Sequence, residues 1–302
     1  MKKSKDTKKN IKNWSNYNRA LMSRGSLNIW IDEQIEDIWY EDKGKRIYTD
    51  KAIEIVLTLK FVYKLPLRQT IGLIKSVFSF MDINLDIPDY TTISRRAKRL
   101  NIKLQKREKK VVDLVLDSTG AKVFGEGEWK VRKHGWSKRR TWRKLHIGID
   151  VDGEIRSVIT TKNNVHDSTV VDDILRQEGS YIRSFYGDGA YDSFEVYMSL
   201  KGRDVKDILV PPNKNAKIRI HGNSKDKYPR DENLRKIRKS NKKQWKINSG
   251  YHKRSLGETV MYRFKNTFGG NLSFREDIRQ ETEVIMKCNI LNVFSGLGMP
   301  SY

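Results

Sequence analysis

The chain has 302 residues, with 61 Lys and Arg against 37 Asp and Glu and a formal net charge of +24. That length suffices for two domains and a substantial core, and the charge implies a partner carrying many negative charges, foremost nucleic acid. No apolar run approaches the roughly 20 residues that span a bilayer, no apolar stretch follows the basic N-terminus as in a secretory signal, and a lone cysteine, Cys288, excludes an intrachain disulfide or a cysteine-based zinc site. The expectation is a cytoplasmic, nucleoid-associated protein with no membrane partner.

Residues 1–13 carry six lysines and one aspartate and read as a disordered basic arm. Helical patterns follow over 14–105. "TDKAIEIVLTLKFVYKL" offers Asp50 as an N-cap and apolar residues at 52, 55, 56, 59 and 62. "LPLRQTIGLIKSVFSFM" places Pro66 near a helix start, where its missing N–H costs little. "IPDYTTISRRAKRL" offers Asp89 or Thr91 as cap to a short basic helix bearing Arg95 and Arg96. Three short helices, the last one basic, suit a helix-turn-helix-like DNA-binding domain and equally a small helical bundle.

From about residue 106 the pattern becomes α/β. "KKVVDLVLDSTG" reads as an apolar strand ending at Asp117 and a turn. "RKLHIGIDVDGEIRSVITT" reads as two alternating strands around an Asp152-Gly153 hairpin turn. "HDSTVVDDIL" reads as helix, "SFYGDGAYD" as a short strand, and a further helix starts at Ser193. Residues 213–254 carry 15 Lys and Arg and only 3 acids, so they form either an excursion from the core or a mobile basic loop. An amphipathic helix, "SFREDIRQETEVIMKCNILNVFSGLG", closes the chain. The order predicts a mixed-sheet layer domain over 106–302 with a basic insertion at about 205–250.

Three carboxylates stand out by position. Asp117 ends an apolar strand, and Asp188 follows another between two glycines; open sheets place ligand sites beyond strand carboxyl ends. Glu258 lies in "YHKRSLGETVMYRFK", where Tyr251, Arg254, Glu258 and Lys265 fall within about 60° of one another if the stretch is helical. Arg254 and Glu258 alone would also suit an ordinary exposed i,i+4 pair. Three carboxylates without cysteines select hard cations, Mg²⁺ or Mn²⁺. Two such ions can clamp the attacking and leaving oxygens of a phosphoryl displacement. Arg254 and Lys265 would then neutralise phosphates, and Tyr251 would stack on a base or contact a phosphate.

Other acids have plainer readings. Asp113 shares a strand face with Asp117 and is its backup, Asp192 suits an N-cap for the helix at Ser193, and Asp150 and Asp152 suit hairpin positions. His134, His146 and His166 lack zinc-ligand spacing; His166-Asp167 could orient a neighbouring loop. Residues 128–144, "EWKVRKHGWSKRRTWRK", set three tryptophans among eight Lys and Arg. Lys138, Arg139, Arg140, Trp142 and Arg143 could therefore form a strand-binding ribbon or a solvated basic hairpin.

These stretches resemble the DDE transposases of bacterial insertion sequences. Tyr251, Arg254, Glu258 and Lys265 match their Tyr-x2-Arg-x3-Glu-x6-Lys signature at every spacing. "LDSTG" and "GDGAYD" resemble the segments carrying the two catalytic aspartates. "NWSNYNRALMSRGSLNIWIDE", "LPLRQT", "PDYTTISRRAK" and "KHGWSKRRTWRKLHIGID" resemble the branch called insertion-sequence family five, so the likeness covers nearly the whole chain. It implies a ribonuclease-H-like catalytic domain with an insertion before the glutamate helix. It also implies Asp117, Asp188 and Glu258 as catalytic metal ligands for two Mg²⁺ or Mn²⁺ ions. The implied activity is binding of the element's terminal inverted repeats in double-stranded DNA, metal-dependent strand cleavage and strand transfer into target DNA, with a homodimer in the synaptic complex. A non-catalytic DNA-binding regulator and a metal nuclease that cuts without joining are the competing readings; Tyr251 as a nucleophile would instead make a recombinase.

Overall fold

The computed structural model describes residues 10–31, 34–42, 44, 47–123, 142–220 and 228–302. Two units emerge: Met1–Leu100 together with Ile290–Tyr302, and Asn101–Asn289.

The first unit is mainly helical. It contains α1 (Trp14–Ser23), α2 (Ile35–Ile38), the antiparallel pair β1 (Tyr40–Asp42) and β2 (Ile47–Tyr48), α3 (Asp50–Val62), α4 (Leu67–Phe80) and α5 (Tyr90–Arg96). The cap of α3 is Thr49, whose hydroxyl accepts the Ala52 N–H at 3.0 Å, so Asp50 is the first helical residue and not the cap. Pro66 precedes α4, and Asp89 caps α5 by accepting the Thr91 N–H at 2.9 Å. Trp39, Ile53, Leu57, Ile74, Phe78 and Ile93 form the buried interior. The end of the chain belongs to this unit as well. Arg24 donates to the Gly298 carbonyl at 2.9 Å, Asn13 to the Met299 carbonyl at 2.9 Å, and Lys12 N–H to the Ser301 carbonyl at 2.7 Å. The sequence pattern assigns that end to the catalytic domain, because hydrogen bonds spanning over 250 residues leave no local signature.

The second unit is a mixed sheet flanked by helices. Its strands are β3 (Val111–Val123), β4 (Trp142–Asp150), β5 (Ile155–Lys162), β6 (Tyr181–Tyr186), β7 (Asp207–Leu209) and β8 (Asn271–Leu272). The order is β5-β4-β3-β6-β7, antiparallel from β5 to β3 and parallel from β3 to β7, with β8 parallel to the end of β3. Its helices are α6 (Val171–Gln177), α7 (Phe194–Gly202), α8 (Pro229–Lys239), α9 (Lys242–Asn248), α10 (Ser255–Phe268) and α11 (Asp277–Leu297), the last running into the stretch that belongs to the first unit. The strand order and mixed directions fit a ribonuclease-H-like catalytic domain.

Alternation divides the central strand between two interiors. Val112, Leu114 and Leu116 pack with Ile174 of α6, Val196 and Leu200 of α7 and Phe185 of β6. Val115 faces the other way, onto Tyr186, Leu209, Trp245 and Tyr251. The strand does not stop at Asp117. Its ladder to β4 runs on from Leu114 to Lys122 although its side chains turn polar there, since a backbone partner, not apolarity, sustains a strand.

The basic stretch expected as an insertion contains β7, which belongs to the sheet, followed by α8 and α9. It is held to the unit by Trp245, 2% exposed, and by Arg230, which donates to Asp192 at 2.7 Å; buried Asp231 ties the stretch internally, accepting the N–H groups of Arg219 and Ile220 at 3.0 and 2.8 Å.

On the antiparallel side, a buried ion cluster ties the sheet to its flank. Arg156, 1% exposed, donates to both Glu178 oxygens at 2.9 and 2.8 Å, to Glu154 at 3.2 Å and to the Arg107 carbonyl at 2.6 Å. Burial raises the Glu178 carboxyl, but the hydrogen bonds from Arg156 and from the N–H and hydroxyl of Ser180, with the charge of Lys106, together outweigh it and hold the group down to about 2. A depressed folded-state value means stability that is complete above the unfolded value, 4.5, and is lost as pH falls through about 2. Urea unfolding of the wild type should therefore weaken over that acid window. Arg156→Ala should cost about 3–5 kcal/mol at neutral pH by stranding two buried carboxylates; a loss under about 1 kcal/mol would contradict this cluster's structural part.

Candidate active site

Asp117 and Asp188 meet through strand register. On β3 and β6, Asp113 lies beside Ser184, Leu114 beside Phe185 and Val115 beside Tyr186; two residues further along each chain lie Asp117 and Asp188. Asp117 is on the same face of β3 as Asp113 and Val115. Asp188, just past the end of β6, accepts the Ala190 N–H at 2.8 Å and so caps the tight turn Gly189–Tyr191.

Glu258 arrives on α10. The buried face of that helix is Gly257, Val260, Met261 and Phe264. A Cβ on Gly257 would lie 2.9 Å from Asp117 Cβ and 3.0 Å from its Oδ2, so the helix backbone rests directly on the aspartate side chain. The next residue is Glu258, whose side chain is 64% exposed. The expected single helical stripe is broken: Tyr251–Arg254 is a separate 3₁₀ turn, because Gly250 at φ 67° redirects the chain after α9.

The charges interact. Burial raises the Asp117 carboxyl above its ordinary value, and the negative charges of Asp188 and Glu258 add to the rise; the Ser118 N–H and Arg254 act against it. Arg254 donates to Glu258 Oε1 from both terminal nitrogens, at 2.9 Å from Nη1, so the i,i+4 pair does form. Here Glu258 stays largely open to solvent, while the charges of both residues act on Asp117. Tyr251 is 7% exposed, its ring 5.4 Å from Trp245, and its hydroxyl donates to the Gly187 carbonyl at 3.2 Å, beside Asp188. Burial, with Asp188 and Asp117 nearby, pushes its hydroxyl up to about 12. It supports the Asp188 turn from beneath, in a position that offers no ring face to a base. Lys265 is exposed on the last turn of α10.

The remaining expected residues are distributed differently. In the helical unit Arg95 is exposed, while Arg96 is tied to the Tyr48 carbonyl at 3.0 Å and Asp50 at 2.6 Å. Trp142 packs its ring near Gly120 and under Lys122. Arg143 is 8% exposed and bonded to Gln280 and Asp277, so its guanidinium faces α11. Lys138, Arg139, Arg140 and His134 lie outside the described residues. Asp113 is held by Arg183 at 2.9 and 2.7 Å and by Lys253 at 3.2 Å. Asp192 is not the cap of α7, which is Ser193; it pairs instead with Arg230 at 2.7 Å. Asp150 does serve the hairpin, accepting the N–H groups of Asp152 and Glu154.

Asp167 joins the site's surroundings in a way the sequence only hinted at. It accepts from Ser118, the neighbour of Asp117, at 3.0 Å and from Lys144 at 2.7 Å, and lies 3.6 Å from His146. His146 is fully buried, bonded to Thr161 at 2.9 Å, and desolvation lowers it to about 4, so it is neutral at pH 7. Gly257 was also missed: a small residue inside a helix pattern gives no hint of what it touches.

Oxygen donors of one charge suit a hard divalent cation, and a cation, Arg254, already rests against one of them. Among the described residues no three such side chains converge closely enough to enclose an ion, Glu258 being turned onto Arg254. The chain matches a family model described as "Transposase DDE domain" over residues 108–293, and a second of the same description over residues 22–126. The chain belongs to the DDE transposase family. It is thus an enzyme acting on DNA, in a family that uses divalent metal ions. None of the transposase's described helices is long and apolar enough to cross a membrane.

Gly257→Ala tests the close approach. Alanine favours a helix by about 1 kcal/mol, so thermal stability should change little, whereas a displaced α10 should lower the transposase's DNA-cutting rate about 10- to 100-fold. Unaltered cutting would mean that the contact with Asp117 does not set the position of Glu258.

Proposed function

We propose that this transposase belongs to insertion-sequence family five, binds the terminal inverted repeats of its own element and carries out strand cleavage and strand transfer with Asp117, Asp188 and Glu258. The observation that carries the reading is the register that sets Asp117, midway along β3, level with Asp188 just past the end of β6, with α10 resting on Asp117 through Gly257 and bearing Glu258 at the next position.

The three carboxylates would hold two Mg²⁺ or Mn²⁺ ions, which when bound supply Lewis acidity and counter-charge for in-line displacement at a phosphodiester. Asp117 would bind from the rigid central strand, Asp188 from the turn just past β6, and Glu258 from the helix. Arg254, which neutralises Glu258 in the protein alone, is available to a phosphate once Glu258 takes a metal. Lys265 contacts a phosphate further along the strand. Tyr251 orients the Asp188 turn through the Gly187 carbonyl, a positioning part in place of base stacking. The helical unit, with Arg95 exposed on α5, would be a helix-turn-helix-like reader of the repeats, and the basic stretch with α8 and α9 an insertion in the catalytic domain. Lys138, Arg139, Arg140 and Trp142 would add strand contacts. Joining two element ends requires at least a homodimer.

The test is cleavage of a labelled duplex carrying the DNA that flanks the gene, with Mg²⁺, Mn²⁺ or EDTA. Wild type should cut at a defined end only with metal. Glu258→Ala should abolish cutting and leave end binding nearly intact; equal loss of binding would contradict the division between units. Binding by both proteins without any cutting would favour a regulator. Lys265→Ala should slow cutting about tenfold, the worth of one charged hydrogen bond, without raising the Mg²⁺ needed. A large rise in that requirement would make it a partner of the metal site.

A further inference from the structure

One side chain on the exposed face of α10 is used neither by the fold nor by the three carboxylates. Tyr262 is 69% exposed, more than any other large apolar side chain described in the sheet-containing unit. Its neighbours on the same helix behave otherwise: Phe264 and Phe268 pack edge to face at 5.5 Å. Single exposed aromatics are common and mean little by themselves. Position decides here. Tyr262 follows Glu258 by four residues and precedes Lys265 by three, so the three lie within about 60° around the helix. The helix rises about 6 Å over that turn, roughly the span of two nucleotides along a stacked strand.

We infer that Tyr262 is a stacking platform for a base within one or two nucleotides of the phosphate cut at Asp117, Asp188 and Glu258. The inference rests on the catalytic reading above and adds a subsite to it. Lys265 supplies the cation for the adjacent phosphate, whereas the tyrosine ring offers a flat apolar face, which every base matches and no phosphate does. Bases inside an intact duplex are hidden in the stack, so the occupant is a base unpaired at or beside the cut. Tyr262 is a substrate-binding residue that holds the strand in line, and its site tolerates any base.

The test uses duplexes carrying the gene's flanking DNA, with 2-aminopurine placed in turn at the two positions on each side of the cut mapped with wild type. One of these probes should be dimmer in complex with the inactive Glu258→Ala protein than with Glu258→Ala/Tyr262→Ala, because the tyrosine ring quenches a base that has left the duplex stack. In the active protein Tyr262→Ala should cut about 5- to 150-fold more slowly, the range of one base–aromatic stack, while Tyr262→Phe and Tyr262→Trp stay close to wild type. Equal quenching with and without Tyr262, or unchanged cutting by Tyr262→Ala, would overturn the stacking site and leave the carboxylate site intact. A Phe variant as slow as the Ala variant would assign the effect to the hydroxyl and also overturn it. Failure of wild type to cut with either metal would instead remove the catalytic reading on which the subsite rests.

Discussion

Placing Asp188 and Glu258 near enough to Asp117, on the central strand of the sheet, for their charges to act on it is the constraint on which the rest of the site depends. Burial of Asp117 carries the largest cost, and the like charges of Asp188 and Glu258 add to it, as its raised carboxyl records. The fold meets this constraint by geometry first. Because Gly257 has no side chain, α10 can lie against Asp117, which sets Glu258 at the next position of the helix. Arg254, from the turn before the helix, supplies the compensating positive charge. A divalent cation would do the same more strongly, which is why an arrangement strained in isolation suits a metal-dependent enzyme.

Beneath that site the support is rigid. Val115, Tyr186, Leu209, Trp245 and Tyr251 form one apolar layer, so the segment carrying Arg254 is anchored by its own first residue, Tyr251. The hydroxyl of that tyrosine fixes the Gly187 carbonyl beside Asp188. On the other flank Asp167 holds Ser118, the residue after Asp117, and is itself held by Lys144. Each catalytic carboxylate candidate on the sheet thus has a neighbour locked by a hydrogen bond from a different element. Such supporting bonds are what keep a constellation in register while the substrate's charge arrives.

Much of this was legible in the residues. Alternation and turn chemistry reveal β4, the Asp152-Gly153 hairpin and β5, and an acid after an apolar run marks Asp188 as lying just past the end of β6, whereas Asp117 falls midway along β3, which continues to Val123. Spacing identifies Glu258 and Lys265 as one side of a helix and Arg254 as the partner of Glu258, but not the 3₁₀ turn after Gly250 that holds Arg254 and gives Tyr251 a buried place. Positive φ is a property of one backbone angle and has no periodic trace. Asp192 misleads because an acid before Ser193 looks like a cap when its partner, Arg230, lies 38 residues away. The return of Ile290–Tyr302 to the helical unit is equally invisible, for the same reason: it depends on contacts with no local pattern.

The central claim is that Asp117, Asp188 and Glu258 together form a binding site for divalent ions on DNA. It is tested most directly by counting Mn²⁺ bound to the protein–DNA complex by electron paramagnetic resonance, for wild type and for Asp117→Asn, Asp188→Asn and Glu258→Gln. The account predicts about two ions per chain in wild type, with each substitution removing or weakening at least one while leaving the complex with DNA intact. Equal Mn²⁺ binding by all four proteins would contradict it.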